Sequence, residues 1–90
     1  MRRSPEDFAD RELVLIYIAK RLREAQQLEA VLTQAGVDYV VGADRYIGGV
    51  IIRRERIGAF FYVLAEAEAA AREIMLRHGF QPFTDPFEAS

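Results

Sequence analysis

Few residues in this 90-residue chain could carry out catalysis. His78 is the single histidine, and it stands where a predicted helix ends. There its partial positive charge suits the last carbonyls of the helix. The hydroxyl side chains are Ser4, Thr33, Thr84 and Ser90, in the terminal segments or on a helix surface. There is no cysteine, so thiolate nucleophiles, disulfides and zinc thiolates are all excluded. Gly48-Gly49 is not followed by the lysine, hydroxyl residue and helix start of a phosphate loop. No metal-ligand spacing stands out. The residue types therefore point away from an enzyme and call for no cofactor.

Two groups could bind rather than catalyse. Arg53, Arg54 and Arg56 crowd together beyond the glycines, with Arg45 and Tyr46 before them. Arginines so placed could clamp the carboxylate or phosphate of a partner. They could equally be charges that keep an exposed strand edge from pairing. Tyr17, Phe60 and Tyr62 lie on two apolar strands, with Phe61 between the last two. Such aromatics can stack nucleobases or can simply be core. The net charge of −2 argues against nucleic acid as a partner, because phosphate binding calls for a cationic surface.

The elements that must position these residues form a doubled pattern. Leu13 to Ala19 is apolar on both faces and predicts an interior strand. Leu22, Ala25, Leu28, Val31, Leu32 and Ala35 recur at spacings of three and four, the stripe of a helix over 22–35. Gly36 fits the left-handed position just past its end. Val37 to Ala43 predicts a more polar edge strand. A connection over 44–57 follows, too long for a tight hairpin loop, and it reads as an extra hairpin or an extension of its flanking strands. Gly58 to Leu64 is again apolar on both faces, and Glu66 to His78 is again a helix, with Gly79 just past it. Phe80 to Phe83 predicts a short fourth strand, placed at an edge because Pro82 has no N–H to donate.

The predicted fold is α+β: a ferredoxin-like βαββαβ sandwich, an antiparallel sheet in order 4-1-3-2 with two helices on one face. Residues 1–11 form an N-terminal arm or short helix, 12–83 a single domain, and 84–90 a tail. No apolar run approaches the roughly 20 residues of a membrane span, and Met1 to Glu12 has no signal-peptide core. The expectation is a cytoplasmic protein without a membrane partner.

Two helices cover one sheet face, yet the predicted inner strands are apolar on both. An uncovered apolar face of several hundred Å² marks an interaction surface. The expected cover is a second copy of the chain, or the 44–57 connection and the N-terminal arm folding over; the preferred reading is a homodimer through Tyr17, Phe60 and Tyr62. An unidentified protein partner would meet the 44–57 connection.

Glu24-Ala25 opening the first helix, Leu32 with Ala35-Gly36-Val37, a glycine-containing stretch after the second strand, and Glu68 to Ile74 after a late strand carry a resemblance. Over about residues 13 to 80 the chain resembles a small prokaryotic family of uncharacterised domains described as signal-transducing proteins. That resemblance implies a ferredoxin-like fold, no known catalytic residues and a regulatory or binding role. A looser similarity is to PII-type regulators, which share the topology and meet partners through a long loop at the same place. None of their nucleotide-binding motifs occurs here. Ile16-Tyr17-Ile18 and Arg56, Ala59 and Phe60 also resemble parts of the two RNA-recognition motifs, which implies a single-stranded RNA-binding alternative. A third reading is a small-molecule sensor of the ACT type, which has the same topology.

Overall fold

The structure, a computed structural model, describes residues 1–8, 10–48 and 54–84, with only the backbone described for 46–48, 54 and 55. Strand β1 (Leu13–Ala19) leads into helix α1 (Leu22–Gln34), strand β2 (Val40–Gly48), strand β3 (Arg54–Leu64) and helix α2 (Glu68–Arg77). Short 3-10 turns precede β1 (Pro5–Phe8) and α2 (Ala65–Ala67).

Both helices end in the same way, and the glycines explain it. Gly36 has φ of 75° and Gly79 of 83°, the left-handed region that costs a residue with a Cβ about 1–2 kcal/mol. Val37 N–H donates to Leu32 O and Gly36 N–H to Thr33 O. Phe80 N–H donates to Met75 O and Gly79 N–H to Leu76 O. These bonds satisfy the orphan carbonyls of each last turn in the Schellman pattern. Each turn also delivers an apolar residue, Val37 or Phe80, back to the core.

The sheet is antiparallel in order β1-β3-β2, with the long β3 paired on both sides. Its helix-side face holds Ile16, Ala19, Tyr39, Phe61 and Val63, packed with Leu28 and Leu32 of α1 and Ala71 and Met75 of α2. Ile16, Leu28, Leu32, Phe61, Val63 and Met75 are fully buried. The helix members Leu28, Leu32, Ala71 and Met75 lie at the helical spacings that the sequence predicts.

Two expectations change, and another narrows to the strand extension, one of its two alternatives. First, the described sheet has three strands rather than four, so the order 4-1-3-2 reduces to 1-3-2. Residues 80–84 run beside β1 but bond to it through one backbone pair, Phe83 N–H to Ile16 O at 2.6 Å. Pro82 cannot donate, and the Phe83 carbonyl accepts from the Arg72 guanidinium at 2.6 Å instead of from a ladder partner. Second, the predicted 44–57 connection is mostly strand. Gly48 pairs with Arg54, Tyr46 with Arg56 and Asp44 with Gly58, so β2 and β3 extend each other as one ribbon. Third, β1 contains a bulge. Leu15 pairs with Tyr62 but Tyr17 pairs with Phe61, leaving Ile16 as the additional residue.

The N-terminal residues cover the other sheet edge. Arg2 bridges Tyr39 in parallel, Tyr39 N–H donates to Met1 O, and Arg3 N–H donates to Tyr39 O. The Met1 amino group donates to Val37 O, and Arg3 lies 3.4 Å from the Asp38 carboxylate. Exposed ion pairs of this kind contribute little, about 0–1 kcal/mol. The backbone bonds do more, because they close part of an edge that could otherwise recruit another strand.

Candidate functional site

The bulge decides which aromatic residues share a surface. In an unbroken ladder Tyr17 would lie opposite Phe60. With Ile16 inserted, Tyr17 pairs with Phe61 and joins the helix side, while Ile18 pairs with Phe60 on the open side. Tyr17 thus stands apart from Phe60 and Tyr62, although the sequence suggests one face for all three. Its ring packs edge-on against Phe61 and Phe80, with centroids 6.5 and 5.6 Å away.

The open face is the first candidate surface. Strand alternation gives it Leu13, Leu15 and Ile18 from β1, Val40 and Gly42 from β2, and Phe60, Tyr62 and Leu64 from β3. Asp44 is the first charged residue on that side. Val40 and Phe60 are 4 % and 8 % exposed, yet neither belongs to the helix-side core cluster. Leu13, Leu15, Ile18, Tyr62 and Leu64 around them are half-buried. The Tyr62 hydroxyl is held above its ordinary pKa by burial, and the Asp44 charge adds to the effect. It therefore stays a neutral phenol at physiological pH.

The second surface is the ribbon. From Asp44↔Gly58 to Gly48↔Arg54 it has no β1 partner, because β1 pairing ends at Ala19↔Ala59. Those pairs extend about 15 Å beyond the sheet at roughly 3.3 Å per residue. The register brings Arg45, Tyr46, Arg54 and Arg56 together, as the clustering in the sequence suggests, while Arg53 lies outside the described residues. Arg56 alternates onto the same side as Phe60 and Tyr62, and Arg45 onto the other. Ile57, beside Arg56, is 71 % exposed.

The third is a cleft of about 450 Å³ that the sequence reading misses. It opens between β1, the start of α1 and residues 81–83, lined by Tyr17, Ile18, Lys20, Glu24, Gln81 and Phe83. Tyr17 Oη donates to Glu24 Oε1 at 2.5 Å. Burial, then that hydrogen bond and the negative charge of Glu24, push the Tyr17 hydroxyl up to about 12. Glu24 stands in the first turn of α1, where the helix dipole favours a carboxylate. The signal in the sequence was Tyr17 and Glu24 seven residues apart across a strand-to-helix turn. It is legible only once the bulge turns Tyr17 toward the helices.

His78 is exposed at the C-terminus of α2, with its backbone N–H on the Ile74 and Met75 carbonyls. Among the described residues no group of three or more His, Cys, Asp or Glu could hold a metal ion. No helix among them is long and apolar enough to cross a membrane. No family model, curated protein or solved structure matches the chain.

Proposed function

We propose that the chain is a non-enzymatic interaction module of ferredoxin-like topology, with residues 80–83 in the place of a fourth strand. It pairs with a second copy of itself through the open sheet face, and the β2–β3 ribbon is its surface for a further protein partner. One observation carries this reading. All three strands place apolar residues on the side away from the helices, and charge enters there only beyond the β1 pairing, at Asp44 and Arg56. Apolar surface laid out flat across a sheet gains by removal from water, at about 25 cal/mol per Å². The two-fold partner of such a face is another copy of the same face. The arginines of the ribbon alternate from that face outward, so they could anchor an acidic partner at the rim of the pair.

The RNA-binding alternative has less support. It needs Tyr17 near Phe60, but these residues lie on opposite faces. Phe60 is also only 8 % exposed, which leaves little ring surface for a stacked base.

Light scattering at micromolar concentration tests the dimer. The expected mass is twice the 10.3 kDa of one chain. Ile18→Glu, on the open face, is expected to return it to one chain with its circular dichroism spectrum unchanged. A wild-type monomer at that concentration would sink the proposal.

A further inference from the structure

The cleft beside β1 has the features of a small-ligand site, and the argument for it does not depend on the dimer. Its volume of about 450 Å³ falls within the roughly 300–1,000 Å³ of ordinary ligand pockets. Its aromatic walls are held in place. The Tyr17 ring is fixed by Phe61 and Phe80 on one side and by its hydroxyl bond to Glu24 on the other. The Phe83 backbone is tied at both ends, N–H to Ile16 O and carbonyl to the Arg72 guanidinium. Walls fixed before binding lower the ordering cost that a ligand must overcome.

The charges in the cleft are also unspent. Glu24 is half-buried and Lys20 is exposed at the rim. Among the described residues these two make no ion pair with each other or with any other side chain. Glu24 Oε1 accepts from Tyr17, and Oε2 has no partner among the described residues. Oε2 is therefore free to accept from a cationic donor. An ammonium beside the Tyr17 and Phe83 rings would gain from the ring faces as well as from the carboxylate. Lys20, one β-strand end away, offers the complementary charge for a carboxylate, and Gln81 offers an amide.

The geometry points to a binding site for a small zwitterion with an apolar side chain, of the size and charge pattern of a free α-amino acid. Its ammonium sits on Glu24, its carboxylate on Lys20, and its side chain between Tyr17 and Phe83. This is binding, with no chemical step.

The test uses three probes of one shape against the ¹⁵N-labelled full chain, read by amide shifts: phenylalanine, phenethylamine and 3-phenylpropionate. Phenylalanine is expected to move the amides of 17–24 and of 81 and 83. It should bind about tenfold more tightly than either single-charge probe, since each charge contact is worth about 1.4 kcal/mol at that ratio. Glu24→Gln should remove its advantage over 3-phenylpropionate, and Lys20→Gln its advantage over phenethylamine. Lys20 is exposed, so its variant stays folded and informative even if Glu24→Gln does not. Equal affinity for the three probes overturns the proposal, as does a response elsewhere in the chain or none. Tighter binding of either single-charge probe also overturns it, because the site then reads one charge only.

Discussion

Phe60 and Phe61 are adjacent on the central strand, and they meet different surroundings. Phe61 is fully buried beneath two helices, with Tyr17 edge-on and Tyr39 tilted at 5.9 Å. Phe60 points to the side with no helix, beside Ile18 and Gly42. One face of the sheet is therefore a core packed under helices, and the other sets a buried Val40 and Phe60 among half-buried Leu13, Leu15, Ile18, Tyr62 and Leu64 with no helix above them. The comparison separates residues packed in the helix-side core cluster from residues outside it. Side-chain type does not make that distinction, because both faces read as Val, Ile, Leu, Phe and Tyr.

The largest expected effect breaks the comparison most directly. Phe61→Ala removes a ring from close packing and leaves a cavity, at a cost of about 3–5 kcal/mol. A domain of this size has only about 5–10 kcal/mol in total, so the variant should be largely unfolded at moderate temperature. Phe60→Ala, measured by urea titration at a concentration where the wild type is monomeric, should cost clearly less. Equal losses would mean that the open face is as much a part of the monomer core as the helix side.

Tyr17 gives the next largest effect, because it couples the two structural layers. Its hydroxyl bond to a carboxylate is of the class worth about 1.5–3 kcal/mol when buried, and less here at partial exposure. Tyr17→Phe should cost about 1 kcal/mol. The bond also has a pH signature. The folded pKa of about 12 lies above the ordinary 10.0 of the unfolded phenol. Below pH 10 both states hold the proton and the contribution is complete. Between about 10 and 12 the unfolded state loses its proton first, so stability falls as pH rises. Urea midpoints measured across that window should fall less steeply in Tyr17→Phe than in the wild type. Parallel curves would mean that Glu24 does not hold the proton on Tyr17.

How much of this is legible in the sequence depends on the range of the interactions. The helix-side stripe Leu28, Leu32, Ala71 and Met75 and the two glycine turns follow from local periodicity and φ preference, and they are where the pattern puts them. The ribbon was half legible. The apolar and arginine-rich stretch after Gly48-Gly49 signalled something other than a plain loop, but strand continuity across it depends on pairing partners rather than on local sequence. The bulge at Ile16 was not legible at all. Leu13 to Ala19 is uniformly apolar, so no alternation shows where the phase slips. That single slip moves Tyr17 to the helix side and creates the Tyr17–Glu24 contact. The fourth strand fails for a reason the sequence half shows: Pro82 removes a donor, while the diversion of the Phe83 carbonyl to Arg72 depends on the tertiary fold.

The glycine turns give an effect of similar size. Gly79→Ala forces a Cβ into the left-handed region, at about 1 kcal/mol. The added carbon would meet no atom within 4 Å, so the cost is purely conformational. Gly36→Ala should match it within a few tenths of a kcal/mol, because the two turns have the same hydrogen bonds and the same open surroundings. Unequal losses in urea titrations would show that the turn at Gly79, which carries Phe80 into the core, also fixes residues 80–84.

The smallest expected effect concerns that segment alone. Arg72→Met keeps the helix-forming stem but deletes the guanidinium that holds the Phe83 carbonyl and the Glu68 carboxylate. Arg72 and Glu68 are partly exposed, so global stability should change by less than about 1 kcal/mol. Locally the change should be larger. Phe83 N–H is the one backbone donor of the segment bonded to β1, and its protection against hydrogen exchange should fall relative to the β3 amides. The open-face amides, which depend on β1–β3 pairing, should be unaffected. If the whole sheet exchanges faster instead, residues 80–84 are a working part of the sheet despite their single bond, and the contrast between the two faces extends to its edge.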